Sequence, residues 1–126
     1  MDIIIRNTGD APIYDQITRQ VKSLIMRGEL KEGEALPSIR LLARELRISV
    51  ITTKRAYEEL EREGFITTVP GKGCFVAPQD PDFFREEIRR RVEEHLEQAI
   101  TCAKEGRMTR EELVEALNIL YGEDEA

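Results

Sequence analysis

A chain of 126 residues, 40% hydrophobic, 35% charged and 6% aromatic, has room for one small domain plus an accessory helical segment and excludes a large catalytic core or wholesale disorder. No apolar run approaches the roughly 18 residues of a membrane span, and Met1 to Arg6 is too short and too acidic for a signal peptide, so no membrane association and a cytoplasmic location are expected. The net charge of −6 argues against a polyanionic partner only on average: residues 1–78 carry 12 Lys/Arg against 11 Asp/Glu, residues 79–126 carry 7 against 14, and Leu36 to Tyr57 holds five basic residues to one acidic.

After a short apolar segment at Ile3 to Ile5, Ala11-Pro12 opens a helix in which Ile13, Ile17, Val21, Leu24 and Ile25 recur at helical spacing, stopped by Gly28. Beyond Pro37, the Ser38 hydroxyl caps a short second helix carrying Ile39, Leu42, Ala43 and Leu46. Arg47-Ile48 connects it tightly to Ser49, which caps a third helix running to about Glu63 and closed by Gly64. Two helices joined by so short a turn predict a helix-turn-helix. Phe65 to Val69 and Cys74 to Ala77 are β-prone and flank Pro70-Gly71-Lys72-Gly73, a hairpin with its tip at the glycines.

Pro78 and Pro81 mark a boundary, giving a winged helix-turn-helix over residues 1–78 and a helical segment over 79–126. From about Asp82 to Lys104, Phe84, Ile88, Val92, Leu96 (or His95), Ala99 and Ala103 make one apolar stripe on a helix roughly 35 Å long. Gly106 ends it. Thr109-Arg110-Glu111-Glu112 has the spacing of a capping box, and Leu113, Leu117 and Leu120 are expected to give the last helix its buried face. The expected fold is mainly α with one small β-hairpin.

On the third helix, a turn of about 100° per residue groups Thr53, Ala56, Tyr57 and Leu60 on the buried side and places Ile51, Arg55, Glu58 and Arg62 opposite, with Thr52 and Lys54 on the flanks. Small hydroxyl, apolar and basic groups at the amino end of a helix suit the DNA major groove, and that end also favours phosphate. The charge order, with Lys54-Arg55 early and Glu58, Glu59, Glu61 and Glu63 late, opposes the helix dipole. It reads either as functional or as two i,i+4 pairs, Lys54 with Glu58 and Arg55 with Glu59, on a solvated face. Gly71-Lys72-Gly73 departs from the phosphate-loop pattern, because Ile66 and Gly73 stand where Gly and Ser/Thr are needed. As the tip of a hairpin after a helix-turn-helix, it brings Lys72 within reach of a phosphate.

Cys74 and Cys102 are far apart and His95 is the single histidine, so neither a disulfide framework nor a metal-ligand spacing is present. Both cysteines are expected to be packing residues, and His95 a packing or edge residue. No ordered nucleophile and base are found, no cofactor is implied, and an enzyme is not expected.

Taken in order, Pro12-Ile13-Tyr14-Asp15-Gln16-Ile17, Gly28-Glu29-Leu30, Leu36-Pro37-Ser38-Ile39-Arg40, Ala56 to Gly64 and Gly71-Lys72-Gly73-Cys74-Phe75-Val76 resemble the GntR family of bacterial transcription regulators, and in particular its short YtrA-like subfamily. The resemblance implies a winged helix-turn-helix in which Arg40 meets the DNA backbone or a base, Val50, Ile51, Thr52 and Lys54 line the recognition helix, and Gly71 and Lys72 form the wing contact. Many members outside this subfamily carry arginine where this chain has Val50. With Ser38, Ser49 and Arg55, these residues complete the candidate DNA-contacting set.

Short members resemble dimers held by their C-terminal helices, which implies a homodimer through Phe84, Ile88, Val92, Leu96, Ala99 and Ile100. The expectation is a sequence-specific regulator, a repressor, on a palindromic double-stranded DNA operator, with no effector identified. The alternative is a winged helix used as a protein interaction module.

Overall fold

The computed structural model describes residues 1–7 and 11–122, which fall into two compact units, Met1–Asp80 and Pro81–Ala126. The first contains helices α1 (Ile13–Met26), α2 (Ile39–Leu46) and α3 (Val50–Arg62) and an antiparallel hairpin, β1 (Ile66–Val69) with β2 (Gly73–Val76). The second contains helices α4 (Pro81–Glu105) and α5 (Arg110–Tyr121). Three helices followed by a hairpin make the first unit a winged helix-turn-helix.

Local chemistry marks where α1, α2 and α3 begin. Pro12 precedes α1, where a missing N–H costs nothing. Ser38 Oγ accepts from the Leu41 N–H at the start of α2, and Ser49 Oγ accepts from the Thr52 N–H at the start of α3. The turn between α2 and α3 closes through Arg47, whose φ of 58° lies in the left-handed region. The Ile48 N–H then donates to the Ala43 carbonyl.

Ile17, Val21 and Ile25 from α1, Leu42 and Ala43 from α2, and Thr53, Ala56, Tyr57 and Leu60 from α3 are buried together with Phe65, Ile66 and Val76. The 3.6-residue period places each set on one face of its helix, and burial of each large side chain favours the fold by roughly 1.5–3 kcal/mol. The hairpin pairs Ile66 with Val76 and Val69 with Gly73, so β1 starts one residue later than the β-prone stretch Phe65 to Val69 and β2 lies one residue earlier than Cys74 to Ala77. At its tip, the Lys72 N–H donates to the Val69 carbonyl across Pro70-Gly71. Proline followed by a glycine at φ 77° is what a type II turn requires.

The connection between α1 and α2 adds a third partner to this sheet. The Gly33 and Leu36 N–H groups donate to the Val76 and Cys74 carbonyls, and the Val76 N–H donates to the Glu34 carbonyl. On the other side of α1, the extended segment before it is held by two side-chain amides. Gln20 pairs both backbone groups of Ile4, and Gln16 pairs both of Arg6, at 2.7–2.9 Å.

In the second unit, Thr109 and Glu112 form the capping box that the spacing implied. The expected burial of Leu113, Leu117 and Leu120 is not found. No residue of α5 is buried, and Leu120 is 85% exposed. Helical periodicity set these leucines on one side, but Leu117 and Leu120 stay exposed and Leu113 is only half-buried, beside Ile100 and Ala103. No helix among the described residues is long and apolar enough to cross a membrane.

Candidate nucleic-acid interface

The outward side of α3 begins with Val50 and Ile51, both exposed, the latter at 81%. An isoleucine that far out of the core contributes nothing to its own unit's packing, and it is a group suited to a thymine methyl. Thr52 is half-buried, and its Oγ1 accepts from Ser49 Oγ at 2.8 Å. Lys54 and Arg55 are exposed one turn further on. Arg55 lies with its guanidinium carbon 3.9 Å from the centre of the Tyr14 ring.

Arg40 sits in the first turn of α2, and Lys72 in the hairpin turn, 32 positions later in sequence. Both line a single cleft of about 550 Å³ between the start of α2 and the wing, together with Ser38 and Gly71. Tyr57 forms part of its wall and donates its hydroxyl to the Pro37 carbonyl at 2.7 Å. Burial pushes the Tyr57 phenol well above its ordinary value, with further contributions from Cys74 and Glu45, so it stays a neutral donor. The structure thus brings Ser38, Arg40, Gly71 and Lys72 together, while Ser49, Val50, Ile51, Lys54 and Arg55 are exposed on the amino half of α3, with Thr52 half-buried among them.

The charge order of α3 acquires a physical reason. Glu59 binds Arg62, the Glu61 carboxylate accepts from the Thr68 N–H at 3.0 Å, and Glu63 binds Lys22 of α1. Its bond from Arg62 holds the Glu59 carboxyl below its usual range. Neither expected pair, Lys54 with Glu58 or Arg55 with Glu59, forms among the described residues: Glu59 is taken by Arg62, and Arg55 by the Tyr14 ring. Two late glutamates, Glu61 and Glu63, fasten the carboxyl end of α3 to β1 and α1, while Glu59 pairs within the helix itself. Arg40, Arg44, Arg47, Lys54 and Lys72 meet no carboxylate within ion-pair distance among the described residues. The result is a helix whose first two turns present uncompensated positive charge.

Tyr14 and the pairing partners of the late glutamates were invisible to sequence periodicity. The one signal available was an aromatic residue in the first turn of α1 without a place in its apolar stripe. Cys74 is half-buried and its sulfur lies 3.4 Å from Thr68 Oγ1, whereas Cys102 is exposed on α4 and is not a packing residue. His95 is exposed as well.

Comparison with known proteins gives this geometry a lineage. The profile of bacterial regulatory proteins of the gntR family matches residues 13–76. The chain is 39% identical over 92 residues to the HTH-type transcriptional repressor YtrA of Bacillus subtilis, covering 73% of this chain and 71% of that protein. It is 45% identical over 85 residues, 66% of its own length, to YdeL of B. subtilis, an uncharacterized HTH-type transcriptional regulator, and spans 18% of that longer protein.

Among solved structures, YtrA from Sulfolobus acidocaldarius, a GntR-family transcription factor, superposes with a TM-score of 0.61 at 38% identity, over 75% of this chain and 96% of that one. The DNA-binding domain of AraR in complex with operator ORE1 superposes with a TM-score of 0.52 at 25% identity, over 61% of this chain and 94% of that one. With the matched profile covering the helices and wing that carry the exposed cations, the chain belongs to the GntR family, as a YtrA-like DNA-binding transcription regulator.

Proposed function

We propose that this protein is a repressor that binds a palindromic double-stranded DNA operator as a homodimer. The observation that carries the reading is the row of exposed cations, Arg40, Lys54 and Lys72, on three successive elements, with no carboxylate paired to them among the described residues. Phosphate contacts from such groups displace counterions and set the register of the protein on the duplex. In this reading Ile51, Thr52 and Lys54 meet base edges, with Val50 as an apolar neighbour. Ser38, Arg40, Ser49, Arg55, Gly71 and Lys72 meet the backbone. That repression is the outcome follows the printed name of the YtrA relative. The relatives are regulators by name, and no catalytic step or cofactor enters the proposal.

Residues 1–78 serve as the DNA-binding domain and 79–126 as the dimerisation segment. Ile88, Val92, Leu96 and Ile100 recur along one side of α4 and are each between 42% and 49% exposed, with Phe84 and Ala99 on the same stripe. So continuous an apolar face is stable in water when a second copy covers it. Two-fold pairing places the recognition helices on half-sites about one helical turn, ~34 Å, or a multiple of it apart.

Selection from random duplexes with the purified protein tests the reading. Enrichment of an inverted repeat with that spacing is expected. Recovery of no enriched sequence, with capture of an acidic protein by the same surface, would replace it with the protein-interaction alternative.

A further inference from the structure

Resting on that operator-binding reading, the stacked pair of Tyr14 and Arg55 carries one step more. The two residues are 41 positions apart, one in the first turn of α1 and the other on the outer side of α3. At 3.9 Å from the ring centre, the guanidinium lies over the ring, within the distance at which a cation is attracted to it. The ring is half-buried on α1, and Arg55 itself is exposed. A guanidinium covered on one face keeps its N–H groups at its edges, the fork geometry that grips a phosphate with two bonds.

Among the described residues no carboxylate pairs with that fork. Glu59, one turn further along α3, is held by Arg62 through Nε at 3.0 Å and through a second bond, and no ion pair of Arg55 is found among the described residues. Arg55 follows Lys54 but is turned about 100° away from it, and it lies about 200° around the helix from Tyr57. It therefore stands on the side of α3 away from the cleft that Tyr57, Arg40 and Lys72 line. A free arginine side chain loses rotamer freedom when it grips a ligand, and a side chain already laid on a ring has less to lose.

We infer that Tyr14 is a positioning residue, holding Arg55 ready for a DNA-backbone phosphate on the α1 side of the recognition helix. It acts through Arg55 rather than by contact of its own. A second grip on that side, opposite the Arg40 and Lys72 cleft, fixes the angle at which α3 enters the groove.

The test is a double-mutant cycle on the selected duplex, with the full chain, read as affinity against salt concentration. Arg55→Ala is expected to weaken binding on the order of tenfold and to lower the salt slope by about 1. Tyr14→Leu is expected to weaken binding roughly three- to fivefold, the size of an exposed cation–ring contact, and Tyr14→Phe to stay within about twofold of wild type. In the Arg55→Ala background, Tyr14→Leu should cost less than about twofold. Equal losses from Tyr14→Leu with and without Arg55, or no loss from Tyr14→Leu alone, overturn the inference.

Should Tyr14→Leu fail to melt cooperatively, Arg55→Lys leaves Tyr14 in place. It is expected to keep the salt slope while losing roughly three- to fivefold in affinity, and wild-type affinity would overturn the fork. If the wild type enriches no duplex, the operator reading fails first. If it binds an enriched duplex and the cycle shows no coupling, only the role of Tyr14 falls.

Discussion

The two units use their apolar residues in opposite ways. In Met1–Asp80, the large aliphatic and aromatic side chains of α1, α2, α3 and the hairpin converge on one core in which Ile17, Leu60 and Phe65 are wholly buried. In Pro81–Ala126, Ile88, Val92, Leu96, Val114, Leu117 and Leu120 all remain exposed. The same helical period therefore produced a finished core in one unit and an open face in the other. An amphipathic stripe specifies which side of a helix seeks cover, and only the remaining architecture says what provides it.

The contrast breaks most sharply at Phe65. It is fully buried at the junction of α3 and the hairpin, and the Lys22 ammonium lies 5.5 Å from its ring centre. Phe65→Ala is expected to destabilise the first unit by about 3–5 kcal/mol, read by urea unfolding at several protein concentrations. A loss that varies with concentration would move this residue from an internal core to an interface. At Leu96 the expectation is reversed: Leu96→Asp leaves the urea midpoint of the first unit unchanged while halving the mass seen by light scattering. Operator affinity should then fall by about a hundredfold or more, because the second half-site contact is no longer intramolecular. A dimer of unchanged mass would remove α4 from the proposed interface.

What could be read in advance divides along the same line. Ser38, Ser49 and Thr109 were legible as caps because each acts on an N–H three residues away, within the reach of a local pattern. Pro70-Gly71 was legible as a turn for the same reason. The exposure of Leu117 and Leu120 was not, since burial depends on a neighbour that periodicity does not name. Nor were the bonds from Lys22 to Glu63 or from Gln16 and Gln20 to the segment before α1, which join positions 10 to 41 residues apart. The proposed site lies between these extremes. Arg40, Lys54 and Arg55 stood out within the basic stretch Leu36 to Tyr57, and Lys72 as a hairpin tip, but that Arg40 and Lys72 share a cleft, and that Arg55 has a ring beneath it, required the fold.

Tyr57 sharpens the comparison at intermediate scale, because it is a core residue whose polar end reaches the cleft wall. Tyr57→Phe leaves the Pro37 carbonyl without its donor and is expected to cost about 1–2 kcal/mol. The sign of the pH dependence follows from the raised phenol. Its stabilising effect is fully present below the ordinary tyrosine value of 10.0 and is lost as pH rises above it toward the higher folded value. Wild type should therefore lose more stability than Tyr57→Phe between pH 9 and 11. Parallel losses in the two proteins would show that burial does not perturb this phenol.

The smallest expected effect separates structure from contact at Ser49. Its hydroxyl is already committed, accepting from the Thr52 N–H at 3.0 Å and donating to Thr52 Oγ1 at 2.8 Å, so a DNA contact would have to share it. Ser49→Ala removes the cap and should cost about 1 kcal/mol, whereas glycine at the same position costs only a few tenths. Stability by thermal melting and operator affinity by anisotropy can be compared for the two substitutions. If Ser49→Gly restores both, the hydroxyl serves α3 by holding its first turn in shape beneath Ile51 and Lys54. If it restores stability but not affinity, the same oxygen reaches the duplex. In that case the amino end of the recognition helix carries both the cap that folds it and a contact that places it.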